Sequence, residues 1–170
     1  MKKGTKLILA ALIMMVSASG AYAQATATAS STATIVTPIS ISKTVDMNFG
    51  NVAVQASTAG TAVLTPAGSR TSTGGVTLPA TVGTVAAASF TVNGQGAYTY
   101  AITLPGTALT ITSGANTMTV GTFTSAPSAT GALTAGTQTL TVGATLNVAA
   151  AQASGVYVSA TPFSVTVNYN

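Results

Sequence analysis

The sequence predicts an all-β protein, a sandwich or barrel of short antiparallel strands, following a cleaved N-terminal export signal. Three observations carry that prediction. Beyond residue 24, apolar and polar residues alternate with a period of two in run after run, and no long stretch keeps a helical period. Gly, Pro, Ser and Asn clusters punctuate those runs as turns do. Thr and Val are abundant, and their β-branched side chains fit a pleated, half-buried surface.

The first element is MKKGTKLILAALIMMVSASGAYA, residues 1–23. Lys2, Lys3 and Lys6 make a positive start and Leu7 to Val16 an apolar stretch; Ala21-Tyr22-Ala23 supplies a small-x-small site, so cleavage is expected between Ala23 and Gln24. The apolar stretch is shorter than the roughly 20 residues of a membrane span, so the mature protein is expected to have none. No Cys follows it, which excludes a lipid-anchored lipoprotein. The expected destination is the periplasm, the cell surface or the medium.

The next run, QATATASSTATIVTPISIS, alternates Ala or Ile with Thr or Ser. As one strand, Ala25 to Ile41 would span about 56 Å at about 3.3 Å per residue, too long for a single sheet. Composition divides it. Residues 24–31 offer only Ala on their apolar face, which buries little area, and read as a flexible leader. Residues 32–41 carry Ile35, Ile39 and Ile41 and read as the first strand of a single domain over 32–170, with Pro38 confining it to an edge or bulge.

Further strands are expected at 45–52, 61–65, 75–78, 89–93, 97–104, 108–111, 117–123, 137–142, 145–148, 155–159 and 163–169. The clearest hairpin is ASFTVNGQGAYTYAITLP, in which Asn93-Gly94 supplies the positive φ angles of a tight turn between two alternating runs. The last strand sets Phe163, Val165, Val167 and Tyr169 on one face. The aromatic rings, among them Phe49, Phe90, Tyr98, Tyr100, Phe123 and Tyr157, are the expected bulk of the core.

The residue inventory argues against chemistry. There is no His, no Cys and no Glu, and Asp46 is the sole carboxylate side chain. A carboxylate pair for glycoside hydrolysis cannot be built from one Asp, and a Ser or Cys nucleophile lacks its His base. Zinc finds no nitrogen or sulfur ligand, and calcium only one carboxylate. GSRTSTGGVT, residues 68–77, has Gly and Arg70 but no Lys-Ser/Thr ending and no following helix, so it reads as an irregular loop rather than a phosphate cradle. Lys43 stands beside Asp46 as a solvated pair. The protein is therefore expected to be no enzyme and to use no cofactor and no metal.

The formal charge of +4 lies mostly in the signal. From residue 24 onward only Lys43, Asp46 and Arg70 are charged, so no basic patch exists for a nucleic acid. An almost uncharged chain of high β-propensity also favours edge-to-edge association.

The blocks ISISKTVDMNFGNVAV, VLTPAGSRTSTGGVTLP, ASFTVNGQGAYTYAITLP, GALTAGTQTLTVGATLNVAAAQASGVY and FSVTVNYN, in this order, resemble the secreted bacterial family called domain of unknown function 4402, over roughly residues 32–170. DMNFG, residues 46–50, is similar to the opening strand of spore-coat-U-like domains. The ending TPFSVTVNYN, with its penultimate Tyr169, is similar to the last strand of chaperone–usher pilins. The resemblance implies an Ig-like antiparallel β-sandwich of Greek-key type. It also implies Ile35, Ile39, Ile41, Phe163, Val165, Val167 and Tyr169 as assembly-strand residues, with other surface subunits or further copies as partners and a periplasmic chaperone. The chain departs from pilins in having no disulfide, and Gly155 lies further from the C-terminus than the pilin glycine.

Two functions are in play. One is a structural subunit of a surface or pilus-like assembly, built by strand addition. The other is a monomeric sandwich binding carbohydrate or another surface ligand, with Tyr98, Tyr100 and Tyr157 as stacking faces.

Overall fold

The computed structural model describes residues 24–170; the expected signal, Ala23 included, lies outside the described residues. The chain divides at Ile35/Val36, and the described residues before that point carry no strand. The rest is built from β1 (Ser40–Val45), β2 (Asn48–Phe49), β3 (Ala53–Val54), β4 (Gly60–Leu64), β5 (Arg70–Gly74), β6 (Val76–Thr77) and β7 (Val85–Ala86). The second half supplies β8 (Ala88–Asn93), β9 (Thr99–Thr103), β10 (Leu109–Ser113), β11 (Asn116–Ala126), β12 (Thr130–Ala132), β13 (Thr137–Val148) and β14 (Thr166–Tyr169). Every strand pairing is antiparallel. Among the described residues no helix is long and apolar enough to cross a membrane.

The architecture is a β-sandwich. One layer is a seven-stranded sheet in the order β1-β8-β13-β11-β10, with β4 and β5 joined to β13. β13 is its spine: residues 137–142 pair with β8, residues 144–148 with β4, and the opposite edge with β11. The change of partner falls at Gly143. There a side chain would collide with the backbone of Leu64, Thr65 and Pro66, so the close approach of β4 requires glycine. The facing layer is a three-stranded sheet, β12-β9-β14.

Alternation decides what each strand buries. β8 buries Ala88, Phe90 and Val92 and turns Ser89, Thr91 and Asn93 outward; β13 buries Leu140, Val142, Ala144, Leu146 and Val148. These side chains form two clusters. The first packs Phe90, Val92, Leu140 and Val142 against Tyr100 and Val167 of the facing sheet, with Leu133. The second groups Ala62, Val76, Val120, Ala144, Leu146 and Val148. The Ala126–Pro127 peptide bond before β12 is cis.

Several sequence expectations change. The first strand begins at Ser40 rather than at residue 32, because Pro38 has no N–H to give a ladder. The expected 93/94 hairpin does not form: β8 pairs with β1 and β13, whereas β9 pairs with β12 and β14. Phe90, Val92 and Tyr100 must meet face to face across a core, so the chain crosses between layers at 94–98 instead of folding back. Residues 68–77 are not one irregular loop, since residues 70–74 form β5 and pair with β4 from Gly60↔Gly74 to Leu64↔Arg70. The expected strand at 155–159 is reduced to a single bridge, Thr112↔Val158.

Candidate functional site

The two halves of the large sheet are covered differently. The half built on β8 and the start of β13 lies beneath the three-stranded sheet. The half built on β10, β11 and the end of β13 lies beneath short pieces only: β2 and β3, two residues each, and the strandless stretch 149–165. Between these pieces runs a groove of about 980 Å³. Its floor is Leu109, Ile111, Met118, Val120, Leu146 and Val148, the inward side chains of their strands.

One wall is Met47, Phe49, Val52 and Val54. Arg70 holds it in place, its Nη1 donating to the carbonyl oxygens of Phe49 and of Asn51, the latter at 2.9 Å. The chain can turn there because Gly50 takes a φ of 64°. Arg70 therefore braces a loop through carbonyl groups, which accounts for a part-buried cation with no acid beside it. The other wall is Tyr157, Ser159, Pro162 and Phe163. The Tyr157 hydroxyl donates to the Ala153 carbonyl at 2.8 Å and bonds Gln152 Nε2 at 2.7 Å, pinning this wall to its own start. Phe163 lies between Phe90 and Phe123, with ring centroids 6.4 and 5.0 Å away.

The walls are unusual in their main chain. Among the described residues β2 pairs only with β7 and β3 only with β6, which leaves each with one edge that no described strand pairs with. From residue 152 to 165 the only backbone–backbone pairing among the described residues is the reciprocal bond between Thr112 and Val158, at 2.8 and 3.0 Å. The groove thus combines an apolar floor with a rim whose main chain makes few backbone–backbone bonds among the described residues, the Phe49 carbonyl being held by Arg70. Among the described residues its only charges are Lys43 and Asp46, whose side chains meet at 2.6 Å while 55 and 80% exposed, so the pair is close to neutral.

The structure places the residues singled out by sequence as follows. Ile39, Ile41, Phe163, Val165 and Tyr169 pack around the first core cluster, and Val167 belongs to it. The Tyr169 hydroxyl accepts from the Gln95 amide at 2.6 Å and donates to the Thr37 carbonyl at 2.8 Å, tying the last strand to the chain entering β1. Ile35 stands apart from these, 94% exposed and outside any strand. Gln24 is exposed at the start of the described residues.

The three tyrosines do not form a stacking platform. Tyr100 is fully buried, its hydroxyl donating to Gln138 Oε1 at 2.7 Å, and burial raises its pKa above the ordinary tyrosine value. Tyr98 lies against Tyr169 with centroids 5.6 Å apart, and Tyr157 belongs to the groove wall. Sequence reasoning missed the groove floor, because Leu109, Ile111 and Met118 fall in the expected strands 108–111 and 117–123, and alternation does not tell a covered face from an open one. No local signal marked it, because the covering stretch 149–165 was itself expected to carry strands at 155–159 and from 163 onward.

The family model described as Domain of unknown function (DUF4402) matches residues 39–169. No curated protein and no solved structure matches the chain.

Proposed function

The chain belongs to the DUF4402 family, and on that premise we propose that it is a non-catalytic secreted structural protein, a surface or pilus-like β-sandwich subunit that assembles by strand addition. The observation that carries this reading is the state of its strand edges. Soluble proteins blunt exposed edges with charges, prolines or bulges. Here β1 has Lys43 and a bulge before Val45, but the terminal strands β12 and β14 have no charged residue at all. The secreted signal supports the same reading, because filament subunits must leave the cytoplasm, as does the inventory that leaves no acid–base pair for catalysis.

Light scattering and negative-stain electron microscopy of the secreted protein test the proposal. Oligomers or filaments that grow with concentration are expected; a monodisperse monomer at every accessible concentration would overturn it.

A further inference from the structure

We infer that the groove over β10, β11 and β13 is the acceptor for the N-terminal segment of a second copy of this chain, which enters as an added strand anchored by Ile35. This rests on the assembly reading above and assigns its two surfaces.

The first argument is the chemistry of the rim. An apolar small molecule would use the floor and ignore the walls. The walls, however, present on one side the edges of β2 and β3 that no described strand pairs with, where the Phe49 carbonyl is taken by Arg70, and on the other residues 159–165, which make no backbone–backbone bond among the described residues. Main-chain groups on both sides of an apolar trough are what an extended peptide satisfies, its amides pairing sideways and alternate side chains pointing down.

The second argument identifies the peptide. Residues 24–36 alternate with a period of two, contain no charge and form no strand of their own. They match a groove whose only charges neutralise each other. Extended, residues 24–35 reach about 40 Å, about the width of a folded unit of this size, which suffices to reach a neighbour.

The third argument is size. The floor is already occupied by Leu, Ile and Met side chains, so Ala at alternate donor positions lets the incoming backbone lie close enough to pair with both walls. Ile35 supplies the bulky side chain for the remaining volume, and its 94% exposure leaves it available.

The test uses full-length secreted protein. Ile35→Asp should raise the dissociation constant of the oligomer about tenfold or more, by removing the burial of one Ile side chain, and should leave the melting temperature of the dilute, dissociated protein unchanged. Val82→Asp, at a residue 45% exposed and outside the groove lining, should leave association unchanged. The chain has no Cys, so engineered cysteines report cleanly. Separately purified Ile35→Cys and Ser159→Cys proteins, mixed and oxidised, should give a mixed disulfide dimer, and Ile35→Cys with Thr73→Cys, on the outer face, should not.

Oligomers that persist in Ile35→Asp, or cross-links no more frequent at position 159 than at 73, would overturn the groove assignment while leaving assembly intact. Wild-type protein that stays monomeric would overturn both.

Discussion

Single residues govern how the ends and the centre of the sandwich are fixed. Tyr100 is the largest fully buried side chain, and it fits only because Gly131 lies opposite it in the β9–β12 register. A side chain at 131 would occupy the space of the ring. Its hydroxyl shares Gln138 Oε1 with the Ala132 amide, which lies 2.9 Å from that oxygen. Because burial raises the folded-state pKa, the unfolded chain releases this proton first as the solution becomes alkaline. The contribution is complete below about pH 10 and is lost as pH rises beyond it. Urea titrations from about pH 9 to 11.5 should therefore show a steeper loss of stability in wild type than in Tyr100→Phe. Equal slopes would assign the alkaline loss to other groups. The ring was legible in sequence as core, but the rest of its setting was not: Gly131 and Gln138 lie 31 and 38 residues away and carry no local signal.

At the scale of elements, β13 decides the architecture. Sequence alternation indicated two strands, 137–142 and 145–148, because Gly143 interrupts the pattern. The structure makes them one strand of twelve residues that exchanges β8 for β4 at that glycine. The neighbouring strand yields at the same level, where β11 shifts register between Gly121 and Thr124 and Thr122 takes a φ of 49°. Gly143→Ala should place a methyl group against the carbonyl of Leu64 and the backbone of Thr65 and Pro66, none of which can rotate away. A loss of about 3 kcal/mol or more is expected in denaturant unfolding, at the upper end for overpacking. A loss below about 1 kcal/mol would show that β4 moves freely relative to β13. The 93/94 region teaches the complementary lesson. Asn-Gly between alternating runs suits a hairpin locally, yet Gly94 here approaches the Tyr169 hydroxyl and bonds the Gly136 carbonyl at 2.9 Å. Core formation between layers outweighs the turn preference of two residues.

Over the whole molecule the distribution of charge stands out. From residue 24 onward Lys43 and Asp46 pair with each other and Arg70 binds backbone carbonyls, so the outward face of the large sheet carries hydroxyls and amides in place of ions. Across β5, β4, β13, β11 and β10 one outward row reads Thr73, Thr61, Asn147, Thr119 and Thr110. Association between such surfaces depends on shape and backbone pairing rather than on Coulomb attraction. The oligomer distribution should consequently change little between about 50 and 500 mM salt, a range over which the Debye length falls severalfold towards a few ångströms. A marked weakening with salt, followed by sedimentation velocity, would point to a charged interface instead.

By itself the sequence determined the fold class, the scarcity of titratable side chains and the faces of the longer strands. All three are local: period, turn residues and composition are properties of neighbours along the chain. Only the tertiary structure decided which strands pair, where β13 changes partner, and that half of the large sheet is left under an incomplete cover. Those outcomes depend on contacts between residues far apart in sequence, such as Gly143 with Leu64 or Tyr169 with Thr37, and on how two sheets divide one set of apolar side chains between them. The groove is what remains when that division leaves the second layer short, and no window of the sequence contains it.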